Sequence, residues 1–194
     1  MPRRIEYDPE AFRKAVMRAF WEKGYAATSV RDLEKATGLN RRQLFRESDD
    51  KRDLFLTAMK DFMAVSKRMY LLPLSQVGGL ETIRQVLQEL VDLSSGAPQW
   101  FGCLICNTCR EPIALADSEV SGLIDSHMLS IEEAYAAALA KASDLGEVTL
   151  DSGRLRSAAR RFLGIHVSLL VLVRAGTPRS VLEDIAREGL VGLG

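Results

Sequence analysis

The sequence predicts an all-α fold, in which a three-helix head over residues 1–50 precedes a larger helical body over residues 51–194. Apolar residues recur every three or four positions through most of the chain, which is the spacing of amphipathic helices. Residues 28–51 carry the start and stop signals of two short helices joined by a tight turn. Lys and Arg exceed Asp and Glu by 14 to 10 in residues 1–60, whereas the remainder has 12 against 16, and this asymmetry favours a head that contacts nucleic acid.

The first helix of the head is predicted to begin at Asp8, because Asp is a favoured N-cap residue and Pro9 suits the first helical position. Gly24 is expected to end this helix. Its apolar stripe should pack on apolar residues of the next two helices and so form the core of the head. The stripe and its partners are Phe12, Val16, Ala19 and Phe20, and Val30, Leu33, Leu39 and Leu44.

The middle of the head contains a helix-turn-helix pattern. Ser29 is an N-cap candidate, and Asp32 three residues later can complete a capping box. Gly38 suits the left-handed conformation that ends many helices. Asn40 can then cap the next helix, with Gln43 at its third position. A helix, a glycine-containing turn and a second short helix are therefore predicted.

The second short helix carries Arg41, Arg42 and Gln43 in its first turn. The N-terminal residues of a recognition helix reach base edges in the major groove of DNA. Arg pairs with guanine through two hydrogen bonds, and Gln pairs in the same way with adenine. These three residues are the candidates for base contacts. The alternative interpretation is an ordinary antiparallel helix pair whose arginines form a solvated face.

This region resembles the TetR family of bacterial transcriptional regulators. The resemblance runs from Ala19 to Leu33, through Ala36-Thr37-Gly38-Leu39-Asn40, and on through Leu44 and Phe45 to Lys51 and Leu54. It implies a DNA-binding helix-turn-helix head on a helical body that binds a ligand and dimerises. It also implies that Lys51 meets a DNA phosphate. The residues expected to contact phosphates or to position the backbone are Thr28, Ser29, Phe45 and Lys51.

After the recognition helix the sequence departs from the family pattern. The family usually has Tyr-x-His-Phe-x-x-Lys, whereas this chain has Phe45, Glu47 and Ser48 at the first, third and fourth of those positions. Phe45 lacks the hydroxyl that family members offer to a phosphate, and Glu47 adds a negative charge. The fold prediction is unaffected. A second interpretation stays open, namely a TetR-like protein with weakened DNA binding that acts through protein contacts.

The body is predicted to consist of long helices. They cover residues 51 to about 72, before Pro73, then 80–93, 117–145 and 152–175, with a last helix from Pro178. Between Phe162 and Val173 only Gly164, His166 and Ser168 interrupt the apolar residues, so this helix must be buried on most sides. A second subunit is the expected cover, and the resemblance implies a homodimer through the last two helices.

Three cysteines, Cys103, Cys106 and Cys109, recur at every third residue. Three interpretations are open: small buried hydrophobic side chains, a thiol sensor favoured by a positive charge such as that of Arg110, and a soft-metal site. Part of the TetR family has a similar Gly-Cys-Leu-x-x-Asn run at the wall of the ligand cavity. In some of those regulators a cysteine there senses electrophiles or oxidants.

A small-molecule effector site is expected in the body. The candidates, chosen for polarity and aromatic character, are Trp100, Cys103, Asn107 and His166. His166 has a second interpretation, because a histidine in an apolar run is often simply hydrogen-bonded within the core. His127 is expected to be exposed or merely packed.

Other classes of protein are less favoured. The sequence lacks a Gly-rich phosphate loop, a His-Glu-x-x-His pair and a nucleophile elbow, so no cofactor is predicted, and an enzyme would depend on Cys103 with His127 or His166. A charged N-terminus, the absence of a membrane-length apolar stretch and three clustered cysteines together predict a cytoplasmic protein. The leading hypothesis is a homodimeric, ligand-responsive repressor that binds a palindromic operator in double-stranded DNA.

Overall fold

The computed structural model describes residues 7–46, 48–95 and 101–193, and every regular element in these ranges is helical. The α-helices are α1 (Pro9–Lys23), α2 (Val30–Thr37), α3 (Arg41–Leu44), α4 (Lys51–Ser66), α5 (Leu72–Gln76), α6 (Gly79–Asp92), α7 (Leu104–Thr108), α8 (Pro112–Ala116), α9 (Ser118–Asp144), α10 (Ser152–Arg174) and α11 (Arg179–Glu188). A π-helical turn, Lys67–Leu71, joins α4 to α5, and a 3-10 turn, Leu93–Ser95, follows α6. The predicted all-α class is confirmed.

The head is the three-helix unit that the sequence predicts. The Asp8 side chain accepts a hydrogen bond from the Glu10 amide at 2.9 Å, and Pro9 occupies the first turn, so α1 begins at its capping signals. Phe20 is fully buried and meets the ring of Phe55 from α4 edge-on, with 5.1 Å between ring centroids. Burial of a Phe side chain contributes about 1.5–3 kcal/mol. Other buried side chains of this core are Val16, Leu33 and Leu44.

The helix that leaves the head does not end before Pro73, as predicted, but continues to Gln76. Pro73 has no amide hydrogen to donate into the preceding turn. The chain accommodates it through the π-helical turn, in which the Leu72 amide donates to the Lys67 carbonyl five residues earlier. One nearly continuous helical segment therefore links the head to the body.

The body is built around α9, which packs against α10, α6 and α5. On its inner face Tyr135 and Leu139 are fully buried. Both α9 and α10 lie within one residue of their predicted bounds, because Asp117 and Asp151 cap their first turns. The last helix, α11, packs against α6 and α10. Among the described residues, no helix combines the length and the apolar composition that crossing a lipid bilayer requires.

Candidate nucleic-acid interface and effector region

The turn between α2 and α3 is held by capping interactions at both helices. The Ser29 hydroxyl accepts a hydrogen bond from the Asp32 amide at 3.2 Å, and the Asp32 carboxylate accepts one from the Ser29 amide at 2.8 Å. Gly38 ends α2 in the left-handed conformation, with φ at 71°. Asn40 and Gln43 form the same reciprocal pair at the start of α3. The predicted caps are confirmed, and they fix where α3 begins.

The first turn of α3 faces solvent. Arg41, Arg42 and Gln43 are exposed, whereas Leu44 behind them is buried in the head. The guanidinium carbon of Arg41 lies over the ring of Phe45, 5.9 Å from its centroid. The helix is therefore anchored through an apolar side chain and presents three polar ones outward. Their N–H groups are the donors that guanine edges and phosphates accept.

Gln43 has a second role that restricts base reading. Its Oε1 atom accepts a hydrogen bond from the Asn40 amide at 3.0 Å, which completes the cap of α3. Pairing with adenine through two hydrogen bonds uses both the oxygen and the nitrogen of the Gln amide. In the cap geometry the Nε2 group remains available as a donor. Reading adenine in this way therefore requires the cap to open.

The residues predicted to contact phosphates are placed in different ways. Thr28 is fully buried, and its hydroxyl donates to the Gly24 carbonyl at 2.6 Å. The Thr28 hydroxyl is engaged at the end of α1, so of its two predicted roles this side chain can position the backbone, and its part in DNA binding stays a prediction. Ser29 is exposed at the start of α2. Phe45 is half-buried and packs against the core.

Lys51 lies in the first turn of α4, where the helix dipole disfavours a cation. Three contacts offset this effect. Its Nζ atom donates to the Tyr25 carbonyl at 2.8 Å and to the Thr28 carbonyl at 2.9 Å, and it lies 4.2 Å from the centroid of the Tyr25 ring. Two of the three N–H donors of Lys51 are thereby used inside the head, which leaves one for a phosphate.

The turn between α1 and α2 is also held from the body, by Glu111. One carboxylate oxygen accepts a hydrogen bond from the Tyr25 amide at 3.0 Å, and the other accepts one from the Ala26 amide at 2.8 Å (the Glu111 clasp). Gly24 has φ at 81°, and a Cβ atom there would lie 2.7 Å from the Glu111 carboxylate. Only glycine suits this position. The role of Glu111 does not follow from the sequence, because its partners are backbone amides far away in the chain.

A second contact between head and body lies at Gly102. The indole nitrogen of Trp21 on α1 donates to the Gly102 carbonyl at 2.7 Å. Asn107 braces the same segment, since its side-chain nitrogen donates to the Phe101 carbonyl at 2.8 Å, and Arg174 from α10 donates to that carbonyl as well. The segment that carries the three cysteines is therefore attached to the head at both ends.

Cys103 caps α7 and is buried, as is His127 on α9. A hydrogen bond with the Cys106 side chain lowers the pKa of the Cys103 thiol, and a hydrogen bond with His127 and the charge of His127 lower it further. These effects outweigh burial, which raises the pKa. The same hydrogen bond, with burial, raises the pKa of Cys106. Burial raises the pKa of Cys109. Cys103 is therefore the most readily ionised of the three, and its histidine neighbour is His127.

His166 is buried, and its Nδ1 atom lies 3.2 Å from the Tyr135 hydroxyl, so it is a hydrogen-bonded core histidine. Burial, and then the charge of His127, lower its pKa to about 3. The ring of Tyr70 meets the His166 ring edge-on, with centroids 5.6 Å apart. Tyr70, Cys103, His127, Tyr135 and His166 form a buried polar cluster in the body. Both tyrosines were missed as polar groups, because they occur among apolar residues of their helices.

The described effector candidates lie in the interior of the body and on α7. Cys103 and His166 are buried, and the Asn107 side chain is bonded to its own loop. Trp100 and Glu47 lie outside the described residues, so their roles stay predictions. Within the described ranges, no group of three or more His, Cys, Asp or Glu side chains is arranged to hold a metal ion.

Comparison with known proteins supports the interpretation of the head. Residues 13–58 match the family model for bacterial regulatory proteins of the tetR family. The HTH-type transcriptional regulator YezE of Bacillus subtilis (strain 168), itself uncharacterised, is 28% identical over 185 residues, which are 95% of each chain. The HTH-type transcriptional repressor AcnR of Corynebacterium efficiens is 28% identical over 135 residues, which cover 69% of this chain and 65% of AcnR.

Solved structures share the fold over nearly the whole chain. A cysteine mutant of the TetR family transcriptional regulator CifR, in complex with a 26-base-pair operator DNA, has a TM-score of 0.86. The match covers 99% of this chain and 100% of the CifR chain at 18% identity. A TetR regulator from Chloroflexus aurantiacus has a TM-score of 0.76 over 93% of this chain and 92% of its own, at 20% identity. These likenesses establish the architecture of head and body together.

Proposed function

The chain belongs to the TetR family of bacterial transcriptional regulators, and we propose that it is a ligand-responsive repressor that binds a palindromic operator as a homodimer. The observation that carries this proposal is the exposed first turn of α3, where Arg41, Arg42 and Gln43 project from a capped helix-turn-helix. The similar proteins include a transcriptional repressor and a regulator bound to operator DNA, which supports a DNA partner. Binding to an operator implies a cytoplasmic location.

In this proposal the arginines read bases and their neighbours set the register on the duplex. Arg41 and Arg42 enter the major groove, where each can donate to guanine or to a phosphate. Ser29, at the exposed start of α2, and the remaining N–H donor of Lys51 contact phosphates. Phe45 positions Arg41 through its ring. Phosphate contacts supply affinity, whereas the arginine contacts supply specificity.

We assign DNA binding to residues 1–50, and effector binding and dimerisation to residues 51–194. The two subunits meet through α10 and α11, where Val171 is 52% exposed and Val181 is 44% exposed although both are apolar. A Cβ atom on Gly164 of α10 would meet open space, so a second helix can approach this face closely. The Val171→Glu variant should therefore sediment as a monomer. A dimer of unchanged stability would contradict this interface.

The effector part of the proposal is supported by the attachment of the body to the head. The segment that carries the cysteines touches the head at Gly102 and at Glu111. A small molecule bound in the body, or a thiol-reactive compound that modifies Cys103, would displace this segment and favour a head arrangement that no longer fits DNA. Such a ligand needs only to bind the released arrangement more tightly than the DNA-bound one.

A gel shift with the DNA that flanks the chain's own gene tests the function. We expect a specific complex whose affinity falls steeply as salt rises, because phosphate contacts release counterions. A variant with both Arg41 and Arg42 changed to Ala is the control for non-specific binding. If the wild type shifts no fragment even at low salt, the repressor function is contradicted. The remaining interpretation is then the TetR-like protein that acts through protein contacts, which Glu47 and Ser48 keep open.

A further inference from the structure

An open cleft of about 430 Å³ lies on the body beside the buried polar cluster. It is lined by Met69, Tyr70, Glu89, Asp92 and Leu93. These residues come from the π-helical turn, from α6 and from the 3-10 turn that follows it. The volume falls within the range of small-molecule sites, roughly 300–1,000 Å³. The cleft combines apolar walls with two carboxylates and one phenol.

The Tyr70 hydroxyl, which lies beside this cleft and out of contact with solvent, is an unexplained group. Tyr70 is 5% exposed, and its hydroxyl oxygen is buried with no hydrogen-bond partner within the described part of the chain. The neighbouring His166 ring meets Tyr70 edge-on, and its Nδ1 atom is already paired with Tyr135. Buried polar groups are nearly always hydrogen-bonded, so an orphaned hydroxyl on a residue that lines a cleft indicates a missing partner.

The π-helical turn explains why Tyr70 lies at the cleft. Single π-helical turns inside α-helices occur frequently at functional sites. This one places Tyr70 and Met69 on the same wall, and Met69 is 47% exposed. The Met side chain is unbranched and flexible, so it can move aside and open a path to the buried hydroxyl.

Of the two carboxylates that line the cleft, one forms an ion pair and the other does not. Asp92 pairs with Arg179 of α11 at 2.6 Å. Glu89 is exposed and has no ion pair with any described residue, and desolvation, followed by the charge of Asp92, raises its pKa. An uncompensated carboxylate at the edge of an apolar wall attracts a cation, because pairing removes the unfavourable effect of its partial desolvation.

We propose that this cleft binds a protonated amine that carries an apolar group. Glu89 supplies the opposite charge, the Tyr70 hydroxyl accepts an N–H of the ammonium group, and Met69 and Leu93 cover the apolar part. This inference rests on the proposed function, in which the amine is the small-molecule effector. Neutral and anionic molecules of the same shape lack the charge that pairs with Glu89, so they bind more weakly.

Calorimetric titration of the full-length protein tests the ligand class. The probes are 2-phenylethylamine, its neutral counterpart 2-phenylethanol and the anion 3-phenylpropionate. We expect saturable binding of the amine and at least about tenfold weaker binding of the other two, as the loss of a charged hydrogen bond implies. Failure of the amine to bind, or similar affinities for all three probes, would overturn the proposal.

Shape-conserving variants test the residues. Glu89→Gln and Tyr70→Phe should each weaken amine binding by about tenfold while they leave the melting temperature unchanged or higher, since neither breaks a hydrogen bond of the protein. Glu81→Gln is the control, because Glu81 lies on the same helix but pairs with Arg84. Unchanged amine affinity in both cleft variants would overturn the assignment.

The titration is independent of DNA, so the two proposals can fail separately. Amine binding that follows this pattern, in a protein that shifts no operator fragment, would keep the site and remove the repressor function. Operator binding without amine binding would keep the repressor and remove the site.

Discussion

The Glu111 carboxylate accepts a hydrogen bond from the Tyr25 amide at 3.0 Å, across 86 positions of sequence. Its other oxygen accepts the Ala26 amide, so both oxygens are engaged by one turn of the head. Lys51 donates to the Tyr25 and Thr28 carbonyl groups of the same turn. The orientation of the head is therefore tied to the position of the segment that ends at Glu111.

Replacement of Glu111 by Ala should lower the free energy of unfolding by about 1–3 kcal/mol, because two backbone donors lose a charged acceptor. Protection of the Tyr25 and Ala26 amides from hydrogen exchange should fall with it. Glu188→Ala, at the exposed end of α11, should change neither quantity. Amide protection that survives the Glu111 change would mean that the clasp is not formed in solution.

Gly24→Ala should destabilise the protein by about 1–3 kcal/mol, because φ at 81° with ψ at 172° is a backbone conformation that only glycine adopts without strain, and further through contact with Glu111. Gly122→Ala is the matched control, since Gly122 is helical and a Cβ atom there meets open space. That control should gain up to about 1 kcal/mol. Chemical denaturation measures both, and a stability gain in the two variants alike would contradict the geometry of the turn.

Arg42→Ala should weaken binding to the specific operator by about 1–3 kcal/mol and relax specificity at one base pair. Arg42 is exposed, so its removal should leave the melting temperature unchanged. Arg84→Ala in α6 removes the same charge from the body and serves as the control. Fluorescence anisotropy with labelled operator measures the change. Equal operator affinity of wild type and Arg42→Ala would exclude Arg42 as a base reader.

Cys103→Ser should abolish release of operator DNA by a thiol-reactive compound such as N-ethylmaleimide, because Cys103 is the most readily ionised thiol. Cys109→Ser is the control: Cys109 is more exposed, but burial of its thiol raises its pKa. Its loss should leave the response intact. Continued release from the Cys103→Ser protein would remove the thiol-sensor interpretation.

His166 should make the protein less stable as the pH falls. Its pKa is about 3 in the folded protein, whereas an unfolded chain has a histidine pKa of about 6.5. Between these values the unfolded state binds a proton that the folded state excludes. The free energy of unfolding therefore decreases as the pH falls, by at most about 1.4 kcal/mol per pH unit. Urea denaturation between about pH 7 and pH 5 measures this slope. His166→Gln should reduce it, and an equal slope in the variant would refute the assignment.

The sequence predicted the head well because its signals are local. The reciprocal pairs Ser29–Asp32 and Asn40–Gln43 each join residues three apart, so the caps could be identified from spacing alone. Pro73 is the exception among local signals. Its effect depends on whether the chain can widen the preceding turn, and the residue type alone does not determine that.

The contacts that the sequence did not predict depend on partners that are distant in the chain. His127 and Cys103 are joined only when α7 packs against α9. The Tyr70 hydroxyl becomes unusual only through its burial. Contacts of this kind follow from tertiary packing, which residue spacing does not encode.

Because of the π-helical turn, the segment from Lys51 to Gln76 remains helical through Pro73. At about 1.5 Å per residue this rod is roughly 39 Å long. A rotation of about 5° about its Gln76 end displaces its Lys51 end, at the head, by ~3 Å. In a symmetric dimer, two such displacements in opposite directions would change the separation of the two α3 helices. The change is about a fifth of the ~34 Å between successive major-groove faces. In the proposed homodimer, a rotation of this helical segment by a few degrees would therefore be enough to decide whether both α3 helices fit one operator.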